Sequence, residues 1–496
     1  NKVNAAKNHS YLWINYIHLF HLMAASDFYQ LLKSGFPFSP TAKQSLSLQL
    51  LSTYIFESSK EDVFLLKGYA GTGKTTIIGI LVKNLWKAKK QVLLLAPTGR
   101  AAKVVSSYAG KEAFTIHKKI YVPRTDKNGK MNFILGPNKH KNTLFIIDEA
   151  SMISDVSNQS RLFGSGALLD DLIQFVYSGH QCRLLLIGDT AQLPPVNIEL
   201  SPALNANILE LNYNKNVTSI ELDEVVRQNQ DSGILYNATE LRECISNQFF
   251  DSFEFKLEVF VDIVRLVDGH DVMDAINDAY SQLGNEETAL IVRSNKRANL
   301  YNQQIRSRIL FNEHELAAGD YLMIVRNNYF WLKPSSEAGF IANGDIIEVL
   351  EVFNIKELYG FRFAEVKIRL VDYPKMKPFE TVLMLDTIAL ETPSLPYEDA
   401  NTLYQEVLKD YENETSGYKK FLAIKKNKYL NALQVKFSYA ITCHKSQGGQ
   451  WHTVFVEQPY LPNGIDLDYL RWLYTAVTRA KEKLFLIGFK NQFFES

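Results

Sequence analysis

Three observations predict an α/β fold built on parallel sheets. Four short apolar runs, "VFLLKGYAGTGKTT", "QVLLLAPTGRAAK", "LFIIDEAS" and "CRLLLIGDTAQLPPV", each end in polar or glycine-containing residues and alternate with helical apolar spacing. Continuous apolarity over so few residues marks strands buried on both faces, as in parallel sheets covered by helices. The rhythm resumes from about residue 211 in "EETALIVRSNKRANLYNQQIR", "VKFSYAITCHKSQGGQWHTVFVE" and "LRWLYTAVTRAKEKLFLIG", which calls for a second sheet. Residues 118–142 and 343–435 break the pattern with stretches of alternating apolar and polar residues, so they read as β insertions.

At 496 residues the chain holds several cores. Its 54 basic and 54 acidic side chains cancel, which excludes a whole-surface basic field; any nucleic acid must be held in a local channel. Cys182, Cys244 and Cys443 show no CxxC spacing, fitting a reducing compartment without a zinc framework, and Cys443-His444 reads as part of a loop. "YLWINYIHLFHLMAA", residues 11–25, loosely resembles a signal peptide, but Asn15, His18 and His21 interrupt its apolar core. From Met23 the sequence reads as an ordinary amphipathic start, so the residues before it are expected to be an extension or a start-site artefact, and residues 1–37 are set apart as the N-terminal extension of a cytoplasmic protein without a membrane span.

In such sheets ligands bind beyond the carboxyl ends of the strands, so the four polar clusters should face one site. The first is Gly68-x4-Gly73-Lys74-Thr75. Its glycines let backbone N–H groups wrap phosphates, Lys74 reaches the β- and γ-phosphates of ATP, and the Thr75 hydroxyl ligates Mg²⁺. Ala70, Gly71, Thr72 and Thr76 complete the expected nucleotide loop. Asp148, at a strand end, suits the magnesium, and Glu149 suits orienting or deprotonating a water; a phosphotransferase does not need that second carboxylate, whereas a hydrolase does. Gln192, on a loop stiffened by Pro194 and Pro195, suits sensing the γ-phosphate. Thr98, Gly99 and Arg100 begin a helix and suit a phosphate of another molecule, such as a nucleic-acid backbone; a solvated cap is the alternative.

The second half has no further phosphate loop, but it has Arg227 in "ELDEVVRQ" and Arg479 in "YTAVTRAKEK". An arginine donated from a second domain couples loss of the γ-phosphate to domain separation. An ion pair, Arg227 with Asp223 for instance, is the structural alternative.

The ordered set "GYAGTGKTT", "APTGRAAK", "TIHK", "FIIDEAS", "GDTAQLPPV", "ELDEVVRQ", "SYAITCHKSQG" and "YTAVTRAK" resembles the superfamily 1 helicases of the RecD-like/Dda-like branch, over roughly residues 38–342 and 436–496. The resemblance implies two RecA-like domains with ATP between them and single-stranded DNA across both, moving 5′ to 3′. It places the first domain at 38–210 and the second at 211–342 and 436–496. By the same resemblance Gln44 reads adenine, and Lys74, Thr75, Asp148, Glu149, Gln192, Arg227 and Arg479 belong to the ATP site. Thr98, Arg100, Thr115, His117, Ser294, Asn295, His444, Lys445, Ser446 and Gln447 contact or couple the strand.

The insertion at 118–142 reads as a β-hairpin with "DKNG" at its turn, and residues 111–141 are rich in lysine and arginine. Tyr121 and Phe133 flank the turn and either stack on a terminal base or pack against the domain beneath. The insertion at 343–435 reads as a small antiparallel barrel, SH3-like in relatives, followed by the helical "YEDANTLYQEVLKDYENE" and the lysine-rich "SGYKKFLAIKKNKY". The expected activity is that of a monomeric, ATP-dependent DNA helicase working on single strands and duplex/single-strand junctions. The alternatives are an RNA or RNA/DNA-hybrid helicase and an ATP-gated binding switch without net translocation.

Overall fold

A computed structural model describes residues 23–57, 59–125, 131–155, 163–196, 198–225, 231–250, 253–333, 335–462 and 464–494. Arg227, the "DKNG" turn and residues 1–22 lie outside the described residues.

The chain opens with β1 (Asp62–Gly68), β2 (Gln91–Ala96) and β3 (Ala113–Thr115), rises through a hairpin of β4 (Tyr121–Thr125) and β5 (Met131–Leu135), and continues with β6 (Thr143–Ile147), β7 (Arg183–Gly188) and β8 (Asn216–Leu222). Outside the hairpin these strands form one parallel sheet in the order β3-β2-β6-β7-β1-β8. Successive side chains of a strand point to opposite faces, and here both faces are dry. Val63, Leu65, Phe145, Ile147, Leu184 and Leu186 pack on one side, and Phe64, Leu66, Ile146, Leu185 and Ile187 on the other. The sheet takes in residues 216–222, on the far side of the boundary expected at 210.

The second half begins with β9 (Ile263–Leu266) and β10 (Thr288–Val292), then forms a closed barrel from β11 (Tyr321–Ile324), β12 (Ile346–Leu358), β13 (Phe361–Leu370), β14 (Phe379–Met384) and β15 (Leu433–Phe437). It ends with β16 (Ala440–Thr442), β17 (Trp451–Glu457) and β18 (Ala480–Ile487), and a second parallel sheet runs β16-β10-β17-β18-β9. The barrel thus takes β11 from before segment 343–435 and closes with β15, which straddles the segment's end. "VKFSYAIT" is split, its first part closing the barrel beside β11 and its last part pairing with β10. Helices Tyr397–Lys409 and Gly417–Lys425 close over the barrel, placing Leu403, Val407 and Ile424 against Phe363, Val382 and Met384. Barrel interior and one face of the second sheet are a single apolar cluster, in which Ile347, Val366 and Leu383 meet Leu290 and Phe455. Each fully buried side chain of this size contributes about 1.5–3 kcal/mol, so barrel and sheet hold together as one body.

Candidate active site

The phosphate loop leaves β1 and turns through Gly71 and Gly73, whose φ values of 74° and 88° lie where a side chain is strained. Gly73 then caps helix Lys74–Asn84, so unpaired amides and the positive end of the helix face the loop's hollow. The Lys74 ammonium folds onto its own loop, donating to the carbonyls of Gly68 at 2.5 Å and Tyr69 at 2.8 Å. Thr75 is exposed and Thr76 half-buried on the first turn. Gln44 is buried beside the loop; its Nε2 donates to the Thr72 carbonyl at 2.9 Å and its Oε1 accepts from the Thr41 amide at 3.0 Å. In this arrangement Gln44 braces the loop.

Asp148 and Glu149 emerge from β6. The Asp148 carboxylate accepts from the Tyr108 hydroxyl at 2.5 Å and from the Glu149 amide at 2.9 Å. Burial raises the pKa of Asp148. Burial first, and Asp148 second, push the Glu149 carboxyl up to about 7, while Arg479 and Lys74 pull it down. A carboxyl poised there is matched to proton transfer at neutral pH. Glu149 also holds φ 55°, an uncommon conformation for a side chain of its size.

The loop after β7 is fastened to the second sheet. Asp189 accepts from the Tyr474 hydroxyl at 2.7 Å, and that hydroxyl accepts from the Ala70 amide of the phosphate loop at 2.9 Å. The Leu193 amide donates to Thr475 Oγ1 at 2.8 Å, and Gln447 Nε2 donates to the Leu193 carbonyl at 2.6 Å. Between these anchors Gln192 is buried with its Oε1 unpartnered. Leaving such an oxygen unpaired costs about 1–3 kcal/mol, the mark of a group kept for something that enters the site. Arg479, one turn beyond Thr475, is buried and donates to the carbonyls of Thr475 at 2.9 Å and Gly449 at 3.3 Å and to Thr478 Oγ1 at 3.2 Å. Its charge lowers the Glu149 pKa, so the arginine that precedes β18 of the second sheet lies within electrostatic reach of that carboxylate of the first.

The strand candidates fall into three places. Thr98 caps helix Gly99–Ala109 through the Ala101 amide at 3.2 Å, and Gly448 packs so near that a Cβ there would lie 2.7 Å from Ala101 Cβ and 3.3 Å from Thr98 Oγ1. Arg100 lies over the Trp451 ring at 4.0 Å. His444 is exposed, Lys445 bonds Asn343 Oδ1, and the buried Ser446 hydroxyl donates to the Cys443 carbonyl at 2.7 Å. Thr98, Arg100 and Gln447 therefore sit at contacts between the two halves, and His444, Lys445 and Ser446 lie on the short helix Cys443–Ser446 that leads into Gln447. Thr115 and His117 lie at the hairpin root instead. Thr115 caps helix Ile116–Ile120, accepting from the Lys118 amide at 3.2 Å. His117 sits between Tyr121 and Phe163, ring centroids 5.6 and 4.9 Å away, and burial pushes its imidazole down to about 4. Ser294 caps helix Asn295–Gln304 beyond β10, and Asn295 Nδ2 donates to the Glu391 carbonyl at 2.9 Å, which ties that end of the sheet to the helical insertion.

At the hairpin, packing wins over base stacking. Tyr121 is buried with its hydroxyl on Asp171 at 2.7 Å. Phe133 stacks on Phe163 at 4.8 Å and meets Tyr329 at 4.6 Å. The exposed apolar side chains of the hairpin are Val122 and Ile134, among the described residues.

Sequence reasoning missed Asp189, Tyr474, Thr475 and Trp451. Thr475 had a usable signal, lying four residues before Arg479 and so on the same helix face. Tyr474, in the apolar run "LRWLYTAV", looks like an ordinary core aromatic.

Residues 53–249 match a family model described as an AAA domain, and residues 437–487 match the UvrD-like helicase C-terminal domain. An uncharacterized protein of Acanthamoeba polyphaga mimivirus is 24% identical over 513 residues, covering 89% of this chain and 98% of its own length. The ATP-dependent DNA helicase dda of Enterobacteria phage T4 is 26% identical over 465 residues, covering 85% of this chain and 93% of that protein. The ATP-dependent RecD2 DNA helicase of Deinococcus radiodurans is 34% identical over 136 residues, 27% of this chain and 16% of that protein. One matched model contains Lys74 and Glu149, the other contains Arg479, and the cleft between them is where those side chains converge; the chain belongs to the superfamily 1 helicases of the RecD-like/Dda-like branch.

Proposed function

We propose that this protein hydrolyses ATP to move 5′ to 3′ along single-stranded DNA and to unwind duplex ahead of it. One observation carries the reading: the phosphate loop and the paired carboxylates follow strands of one sheet, Arg479 precedes β18 of the other, and Tyr474 reaches from that second body to both the Ala70 amide and Asp189 of the first. A cleft with walls on separate bodies turns a change in its contents into relative motion of those bodies. The name of the phage T4 relative, an ATP-dependent DNA helicase, supports DNA as the track.

In this reading the loop amides and Lys74 take the phosphates, Lys74 exchanging its own loop's carbonyls for phosphate oxygens. Glu149 orients the attacking water and accepts its proton, Gln192 Oε1 receives the hydrogen bond it lacks, and Arg479 neutralises charge at the γ-phosphate. Thr75, with an exposed hydroxyl, and Asp148, whose oxygens keep lone pairs beyond the bonds from Tyr108 and Glu149, fit Mg²⁺, which supplies charge neutralisation at the phosphates. The seam bearing Thr98, Arg100, His444 and Gln447 takes the strand. Arg227 remains assigned to the nucleotide by its motif.

The test is unwinding of matched 5′-tailed and 3′-tailed DNA, with RNA-tailed controls. Only the 5′-tailed DNA is expected to open. Opening from the 3′ tail overturns the direction, preference for the RNA tail overturns the track, and nucleotide-dependent binding with no opening leaves a switch in place of a motor. Within the seam, His444→Ala and Thr98→Ala are each expected to weaken single-strand binding or its stimulation of the ATPase by about 5- to 30-fold, as for loss of about 1–2 kcal/mol at one phosphate contact. Nucleotide affinity should stay. An equal loss of ATP affinity, read by titration without DNA, would move both residues into the nucleotide site.

A further inference from the structure

We infer that the amino-terminal edge of the first sheet carries a second nucleic-acid site, built for the phosphate backbone of duplex DNA. It extends the proposed function, from which it takes the nature of the ligand, and it lies away from the strand seam. The phosphate loop, Asp148 and Gln192 all follow the carboxyl ends of parallel strands, whereas this surface gathers at the opposite ends.

Three turns meet there, those entering β2, β6 and β7, and hydrogen bonds tie them into one platform. Asn142, with φ 49°, is the hub. Its Oδ1 accepts from Lys90 Nζ at 2.6 Å, its Nδ2 donates to the Lys89 carbonyl at 2.6 Å, and its amide donates to the His180 carbonyl at 2.9 Å. The Cys182 thiol donates to the His140 carbonyl at 3.4 Å, closing the third side.

The platform collects Lys60, Lys89, Lys90, Lys139, Lys141 and Arg183 in a protein of zero net charge. Lys60, Lys90, His180 and Arg183 line a cavity of about 530 Å³. Among the described residues Lys60, Lys90, Lys139 and Lys141 form no ion pair. The acids of this edge are mostly committed: Glu61 to Lys215, and Asp62 to Ser59 and Asn216, which leaves Glu57. Burial and the neighbouring Arg183 both push the Lys90 ammonium down, as expected where cations crowd without counter-ions.

The form of the surface favours duplex. Single-strand sites pair cations with aromatic platforms on which bases stack. Among the described residues aromatic rings are few here, Trp86, whose ring carries Lys87 at 5.8 Å, and the half-buried Phe56 in the cavity wall, while Lys60, Lys139 and Lys141 present exposed ammonium groups on flexible stems. Such groups match a regular phosphate array and read no sequence. Residues 136–142 run from the end of β5 to this edge, so a single connection joins the hairpin to the platform.

The triple variant Lys60→Ala/Lys139→Ala/Lys141→Ala removes three exposed ammonium groups that make no hydrogen bond holding the platform. Nucleotide-free protein is titrated by fluorescence anisotropy with a blunt DNA duplex and with a single strand of equal length, across a salt series. For the duplex, the slope of log affinity against log salt should fall by about 2.7, about 0.9 for each lost contact, while the single-strand titration is unchanged. The triple arginine variant should restore the slope. Unchanged duplex binding overturns the inference, as does an equal loss on the single strand. Polyglutamate displacing the duplex at matched charge would make the surface a protein-binding one. Neither ATP nor unwinding enters this assay, so its failure and a failure of the motor reading are separable.

Discussion

Glu149→Gln is expected to bind ATP as the parent does and to lose DNA-stimulated hydrolysis by about 10²–10⁴-fold, the range that a positioned general base contributes. The amide keeps the size of the side chain and its unusual backbone, but it cannot accept a proton. The buried environment that pushes the carboxyl up to about 7 is the environment in which that loss is felt most. Lys74→Ala should instead weaken both nucleotide affinity and turnover, since this ammonium is placed to neutralise phosphate in ground and transition states alike. Arg479→Ala should resemble Glu149→Gln in kinetics. It also removes the Arg479 bond to the Gly449 carbonyl and leaves the Thr475 carbonyl with the Thr478 hydroxyl alone, so its melting temperature must be read alongside and Arg479→Lys compared. Steady-state ATPase with saturating single-stranded DNA, set beside titration with a fluorescent nucleotide, separates these outcomes. Near-parental ATPase in Glu149→Gln would end its assignment as the base.

The parts of this site that were legible in the sequence are those where one residue type does one job. A glycine loop after a buried strand, and two acids after another, are consequences of phosphate chemistry that little else imitates. The strands were legible for a related reason: β1, β2, β6 and β7 are covered on both faces, so burial writes them as unbroken apolar runs. β8 is an edge strand, and its "NVTSIEL" has few apolar residues to mark it. The run "VKFSYAIT" shows the opposite failure, since one apolar stretch serves two sheets and periodicity has no sign for where the chain changes partner. Tyr474 was hidden because its ring belongs to the core while its hydroxyl belongs to the cleft. No spacing rule distinguishes it from the neighbouring Tyr469, another fully buried aromatic of the same helix, whose hydroxyl donates to Gln458.

Replacing residues 122–132 by a short Gly-Ser turn is expected to abolish duplex unwinding while leaving DNA-stimulated ATPase and single-strand translocation within about twofold of the parent. Movement along a strand does not by itself open a duplex; an obstacle at the fork must hold apart base-pair steps that stack with about 1.4 kcal/mol each. The hairpin is built to be rigid at its root. Tyr121 is fixed by Asp171, and Phe133 is packed against Phe163 of its own domain and against Tyr329 and Phe340 from the connection between β11 and β12. Those contacts lie outside the replaced segment, so the cut removes the projecting part and keeps the anchor. Because both rings are buried, a wedge at this place is expected to act by bulk and by the apolar surface of Val122 and Ile134, and not by stacking Tyr121 or Phe133 on a base. Ile134→Ser in the otherwise intact hairpin should therefore lower unwinding only partly, whereas the shortened hairpin removes it. Full unwinding by the shortened protein would sink the wedge assignment. A parallel fall in ATPase, with the melting temperature unchanged, would assign the hairpin to coupling between the strand and the nucleotide instead.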